Sequence, residues 1–161
     1  MKKIVLVLTT LFTLNTLANQ CPELDGRYDR CYSEIKKMRG EYIIDQVDQN
    51  GTAVFKVQFV DDETDESRID KITANGKPEY RKERVPVIGI KVDVESRSYC
   101  KNNQVVTDAI ARGFFNKKLG EFTTTLLRNK DQLTMLVNGS YIGRSVNKVI
   151  KCQLIGTEIA N

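Results

Sequence analysis

Histidine is absent from all 161 residues. Imidazole is the side chain best suited to general acid–base work near neutral pH. Its absence excludes Ser-His-Asp and Cys-His nucleophilic catalysis, His-ligated zinc and the usual endosome-range pH switch. Tryptophan is also absent, so no indole platform exists for sugars or cations. Carboxylates, Lys, Tyr and Ser remain, but the main route to catalysis is closed and the expectation is a non-enzymatic protein without a cofactor. Missing too are any long amphipathic helix pattern and any C-x-x-C pair.

What is present begins with an export signal. Lys2 and Lys3 precede an apolar run from Ile4 to Leu14, and Thr16-Leu17-Ala18 offers a small-residue cleavage site. The run is short for a bilayer span, so no stable membrane span is expected. Residues 1–18 are therefore read as a signal peptide and residues 19–161 as one β-barrel domain, placed in the periplasm or secreted. Loss of Lys2 and Lys3 takes the formal charge from +4 to +2. A mildly basic, well-mixed chain gives no reason to expect nucleic acid as a partner.

Cys21, Cys31, Cys100 and Cys152 are four cysteines in an exported chain, which favours two disulfides. Their long spacings and the lack of histidine argue against a metal site. In a closed up-and-down barrel with an even strand count, the first and last strands are antiparallel neighbours. Cys21 precedes the first strand and Cys152 lies near the end of the last, so Cys21–Cys152 is geometrically natural and leaves Cys31–Cys100. The second bridge needs Cys100 to end an odd-numbered strand.

Apolar residues alternate with period two, the mark of half-buried strands. Ala53, Phe55, Val57 and Phe59 form one apolar parity, and Ile88, Ile90, Val92 and Val94 form a second. Strands are expected near 25–32, 41–48, 53–60, 67–74, 78–84, 87–100, 104–112, 120–128, 132–138 and 145–154. The fourth and fifth carry the weakest pattern. Asn50-Gly51, Asn75-Gly76 and Asn138-Gly139 are expected hairpin turns, because Asn and Gly tolerate positive φ. Asn102-Asn103 and Asn129-Lys130-Asp131 are further turns, and Ser33 to Arg39 has some helical character. The expected fold is all-β, a single antiparallel up-and-down barrel of eight to ten strands.

At Gly26-Arg27-Tyr28, within Cys21-Pro-Glu-Leu-Asp-Gly-Arg-Tyr-Asp-Arg-Cys31, the chain resembles the G-x-W opening of lipocalins, with Tyr in place of Trp. The wider pattern is similar to small secreted lipocalin-like proteins of Gram-negative bacteria. The resemblance implies a barrel with an apolar interior and brings no catalytic residues. Read on its own, Tyr28 plugs the barrel base while Gly26 lets the backbone turn.

The leading expectation is binding of a small hydrophobic or amphipathic ligand against a wall of Phe55, Val57, Phe59, Ile88, Ile90, Val92 and Val94. The same residues would equally fill a solid core. A second reading starts from Tyr28 to Cys31, whose Tyr-x-x-Cys resembles bacterial lysozyme inhibitors, and implies a protein-interaction module. Its contact for a cationic protein would be the acidic loop Asp61, Asp62, Glu63, Asp65 and Glu66. Calcium also likes such oxygens, but the spacing lacks the EF-hand glycine and closing glutamate, so no metal is expected. Lys77, Arg81, Lys82 and Arg84 form a basic rim, and Phe114-Phe115 suggests one ring inside the barrel and one outside.

Overall fold

The computed structural model describes residues 21–33, 40–62, 64, 67–84 and 91–156. The expected signal peptide, the helical stretch over 34–39 and both Ile88 and Ile90 lie outside the described residues. Among the described residues the chain is all-β, with ten antiparallel strands and a 3₁₀ turn at Phe114–Asn116. The strands are β1 (Gly26–Ser33), β2 (Glu41–Gln49), β3 (Thr52–Val60), β4 (Ser67–Thr73), β5 (Pro78–Arg84), β6 (Lys91–Lys101), β7 (Gln104–Arg112), β8 (Lys118–Asn129), β9 (Gln132–Tyr141) and β10 (Arg144–Gly156).

Two-residue hairpins set the register. Asn50 and Gly51 take φ of 56° and 77°, and Asn102 and Asn103 take 51° and 58°, as primed turns require. Asn138-Gly139 is not a turn. Both residues lie inside β9, and the chain reverses at Ile142-Gly143. The reason is crowding: a Cβ on Gly139 would run into the backbone of Glu121 and Phe122 on β8. This glycine serves a close strand approach rather than a bend.

The sheet runs β4-β3-β2-β1-β10-β9-β8-β7-β6-β5. First and last strands pair, as expected of an up-and-down barrel, with Tyr28 opposite Leu154 and Ser33 opposite Ile150. The hydrogen-bond ladder is open between β4 and β5, so the sheet is a curled half-barrel. The end holding the 50–51, 102–103 and 130–131 turns is here called the base, and the opposite end the mouth.

The base is packed solid. Leu24, Tyr28, Ile44, Phe55, Val105, Leu126 and Leu133 are fully or almost fully buried in one cluster. The segment ahead of β1 crosses beneath the strands and plugs them. Leu24 donates its N–H to Gln46 Oε1 (2.8 Å), Gln46 returns its own N–H to Asp25 Oδ1 (2.8 Å), and Tyr28 donates its hydroxyl to the Leu24 carbonyl (2.6 Å). Gly26 makes the bend at φ 145°, where a Cβ would meet Leu154. Tyr28 therefore holds the base plug, as its sequence context suggests.

The disulfides are Cys21–Cys100 and Cys31–Cys152. This corrects the expected Cys21–Cys152 and Cys31–Cys100 pairing. Cys100 ends the sixth strand, which runs downward to the base, where the plug carries Cys21. Cys31 and Cys152 meet across the β1–β10 ladder at a bulge between Asp29 and Tyr32, where Arg30 takes φ 49°. The bulge inserts a residue and re-aims the side chains around it.

Burial pushes the Tyr28 hydroxyl above the ordinary tyrosine value, against the lowering effect of Arg128 beside it. Tyr42 is pushed up as well, first by burial and then by Asp70. The folded chain thus holds these protons more tightly than the unfolded chain. Their contribution is complete below the unfolded tyrosine pKa of about 10 and is lost as pH rises through the folded values. Tyr28→Phe should cost about 1–3 kcal/mol, because the Leu24 carbonyl loses its donor inside the base. Urea midpoints across pH check both points: the variant starts lower at neutral pH and loses less than the parent above pH ~10.

Candidate functional site

Above the packed base the curl is hollow. A cavity of about 470 Å³ is lined by residues of β2 to β9 and lies against the β4–β5 gap. Its wall changes character around the curl. On one side Tyr42, Val57, Phe59, Leu126, Met135 and Val137 are apolar or aromatic, with the Tyr42 and Phe59 rings 4.9 Å apart. On another side Ser96, Ser98, Thr107 and Thr124 present hydroxyls. Ser98 and Thr107 bond each other at 2.9 Å. Neighbouring strands set these residues level: Ser98 faces Thr107, Thr107 faces Thr124, and Thr124 faces Val137.

The third side is charged. Register places Arg68, Asp70 and Ile72 of β4 beside the inward residues Phe59, Val57 and Phe55 of β3. On β5, Glu79, Arg81 and Glu83 pair with Ser96, Val94 and Val92. Arg68 reaches Asp70 at 3.1 Å and Glu83 at 3.6 Å, and Arg81 reaches Glu83 at 2.8 Å. An alternating row Asp70–Arg68–Glu83–Arg81 thus spans the gap that no backbone ladder closes. At the base end the same gap is tied by the turn at Asn75-Gly76, whose Gly76 N–H donates to the Ser98 carbonyl (2.8 Å). Inward charges are one way a sheet edge avoids pairing with a foreign strand. Such exposed ion pairs are worth roughly 0.2–1 kcal/mol each, so this is the weakest side of the wall.

The expected wall residues divide. Val57 and Phe59 line the cavity. Phe55 is corrected to the solid base, where it is wholly buried. Val92 is buried but does not line the cavity, and Val94 borders a separate hollow beside β5. Ser96 and Ser98 were within reach of the sequence, since they continue the even parity of Val92 and Val94. Arg68, Asp70 and Arg81 were not, because a charged parity normally signals a solvated face.

The basic rim is split by strand alternation: both residues are exposed, but Arg81 lines the cavity and Lys82 does not. In the acidic loop, Asp61 Oδ1 accepts the Thr64 N–H at 3.1 Å. Glu63, Asp65 and Glu66 lie outside the described residues. Phe114 and Phe115 form the 3₁₀ turn and are both exposed, which corrects the expectation of one ring inside. They sit in a turn, where strand alternation does not apply. Among the described residues no group of three His, Cys, Asp or Glu side chains is arranged to hold a metal ion, and no helix is long and apolar enough to cross a membrane.

No family model and no curated protein matches the chain. A solved structure similar to it is secretory abundant heat soluble protein 4 from Ramazzottius varieornatus. The identity is 14% and the TM-score 0.48, over 74% of this chain and 73% of that one.

Proposed function

We propose that this chain is an exported, non-enzymatic carrier or sensor of a small amphipathic molecule held inside the curl. The observation that supports this reading is the divided wall of the 470 Å³ cavity. Volumes of this size suit small-molecule ligands, and a wall that is apolar on one side and polar or charged on the others suits an amphipathic one. Val57, Phe59, Leu126, Met135 and Val137 would take the apolar body. The hydroxyls of Ser96, Ser98, Thr107 and Thr124 would take a polar part that accepts or donates hydrogen bonds. A wholly apolar ligand would strip water from the Ser96 and Thr124 hydroxyls, at a desolvation cost, while Ser98 and Thr107 bond each other. The two disulfides agree with an oxidising, extracytoplasmic location.

An environment-sensitive fluorescent fatty acid is the probe. Binding should saturate at one per chain. Met135→Trp fills the hollow and should weaken binding at least about tenfold, the scale of 1.4 kcal/mol. Intact disulfides and an unchanged far-UV spectrum confirm that the variant folds. Unsaturable uptake, or equal binding by a folded Met135→Trp chain, would rule the cavity out as the site.

A further inference from the structure

We propose that the outer face at the mouth, centred on Phe114 and Phe115, docks on an anionic lipid surface. Phe114 is 76% exposed and Phe115 fully so. Water is a poor environment for two adjacent phenyl rings, and no part of the described chain covers them. Their outward aim is built into the backbone. Gly113 donates its N–H to the Lys117 carbonyl (2.9 Å), and Lys117 returns its N–H to Phe114 (3.3 Å). Within this closed turn Phe115 takes φ 57° and Asn116 φ 59°. Positive φ is costly for a bulky side chain and persists only where the surroundings impose it. Leu119 packs so closely on Gly113 that a Cβ there would meet it at 2.8 Å.

The surroundings carry the charge that fits such a surface. Phe114 and Phe115 share a hollow with Lys82, Lys91 and Asp93. A second hollow, sharing Lys82 and Asp93, extends along β5 to Arg112 and the exposed ring of Tyr80. Two carboxylates of this face are already engaged, while Glu95 of the second hollow makes no ion pair among the described residues. Asp93 has Lys82 at 4.0 Å and Arg112 opposite it on β7, and Glu121 is held by Lys118 at 2.6 Å. Lys91 and Lys117 make no ion pair among the described residues, which leaves cations to meet lipid phosphates. Aromatic rings prefer the headgroup level of a bilayer, and flanking Lys and Arg add attraction to anionic lipid. Asp61 and Asp62 also lie at the mouth end, on the β3–β4 connection. Their repulsion by the same surface would tilt the chain onto its β5–β8 side.

The test is co-sedimentation of the full chain with vesicles of phosphatidylcholine mixed with phosphatidylglycerol, and with phosphatidylcholine alone. The apolar N-terminal segment is common to every variant, so differences between variants read the turn. Phe114→Ala/Phe115→Ala should weaken partitioning to the mixed vesicles about tenfold or more. Lys91→Glu/Lys117→Glu should weaken it similarly and remove its dependence on salt. All four side chains lie at the surface, and the disulfide pattern verifies folding. Partitioning of either double variant that equals the parent's would overturn the proposal. Self-association abolished by Phe114→Ala/Phe115→Ala, without vesicle binding, would overturn it in favour of a second copy of the chain.

Discussion

Non-reducing peptide mapping should return Cys21 joined to Cys100 and Cys31 joined to Cys152. Removing either bridge should be among the most damaging changes available to this chain. The bridges span 79 and 121 residues, and loops of that size restrict the unfolded ensemble by about 4–5 kcal/mol each in the chain-entropy description. Domains of this class are commonly stable by about 5–15 kcal/mol, so losing one bridge takes a large share. The two losses should differ in character. Cys31 and Cys152 sit on strands already laddered to each other, so Cys31→Ala/Cys152→Ala should lower the urea midpoint while leaving the native contacts in place. Cys21 anchors a segment outside the sheet, so Cys21→Ala/Cys100→Ala should also speed hydrogen exchange at Leu24 and Gln46. A Cys31–Cys100 peptide, or a midpoint unmoved in the Cys31→Ala/Cys152→Ala chain, would contradict this arrangement.

Phe55→Ala should cost about 3–5 kcal/mol, as expected when a large side chain leaves a close-packed core. Phe55 is wholly buried among Leu24, Tyr28, Ile44, Leu126 and Leu133, and a rigid base cannot collapse fully into the space. Phe59 lies on the same face of β3, four residues nearer the mouth, but lines the cavity. Phe59→Ala removes the same atoms from a wall that is already hollow, so its stability cost should be clearly smaller and its effect on ligand affinity larger. Urea unfolding of both variants, beside the fluorescent fatty-acid titration, separates the two roles. Equal stability costs at the two positions would mean that base and cavity are not distinct.

The strand order was legible because its signals are local. The alternation of Phe55, Val57 and Phe59 and the turns at Asn50-Gly51 and Asn102-Asn103 depend on a few neighbouring residues. They placed all ten strands to within a few positions, including the weakly patterned β4 and β5. The disulfide pairing was less legible because it depends on one bulge near Arg30 and on the exact strand count, neither of which alternation encodes. Gly139 misled for a related reason. Asn-Gly reads as a turn, yet here the glycine answers to a backbone on another strand. Part of the apolar side of the candidate wall was legible, through Val57 and Phe59. The charged side was hidden, since Arg68, Asp70 and Arg81 occupy the face that alternation reserves for solvent. They face inward because β4 and β5 are the two open edges of the sheet, a property of the topology that no short window of sequence contains.

Native mass spectrometry of the folded, disulfide-bonded chain, isolated from the cells that make it, tests the enclosed site most directly. The expected result is one amphipathic small molecule retained per chain, released on unfolding and absent from the Met135→Trp chain prepared in the same way. A chain that carries no small molecule, and takes up none when exposed to total lipid extract from those cells, would contradict it.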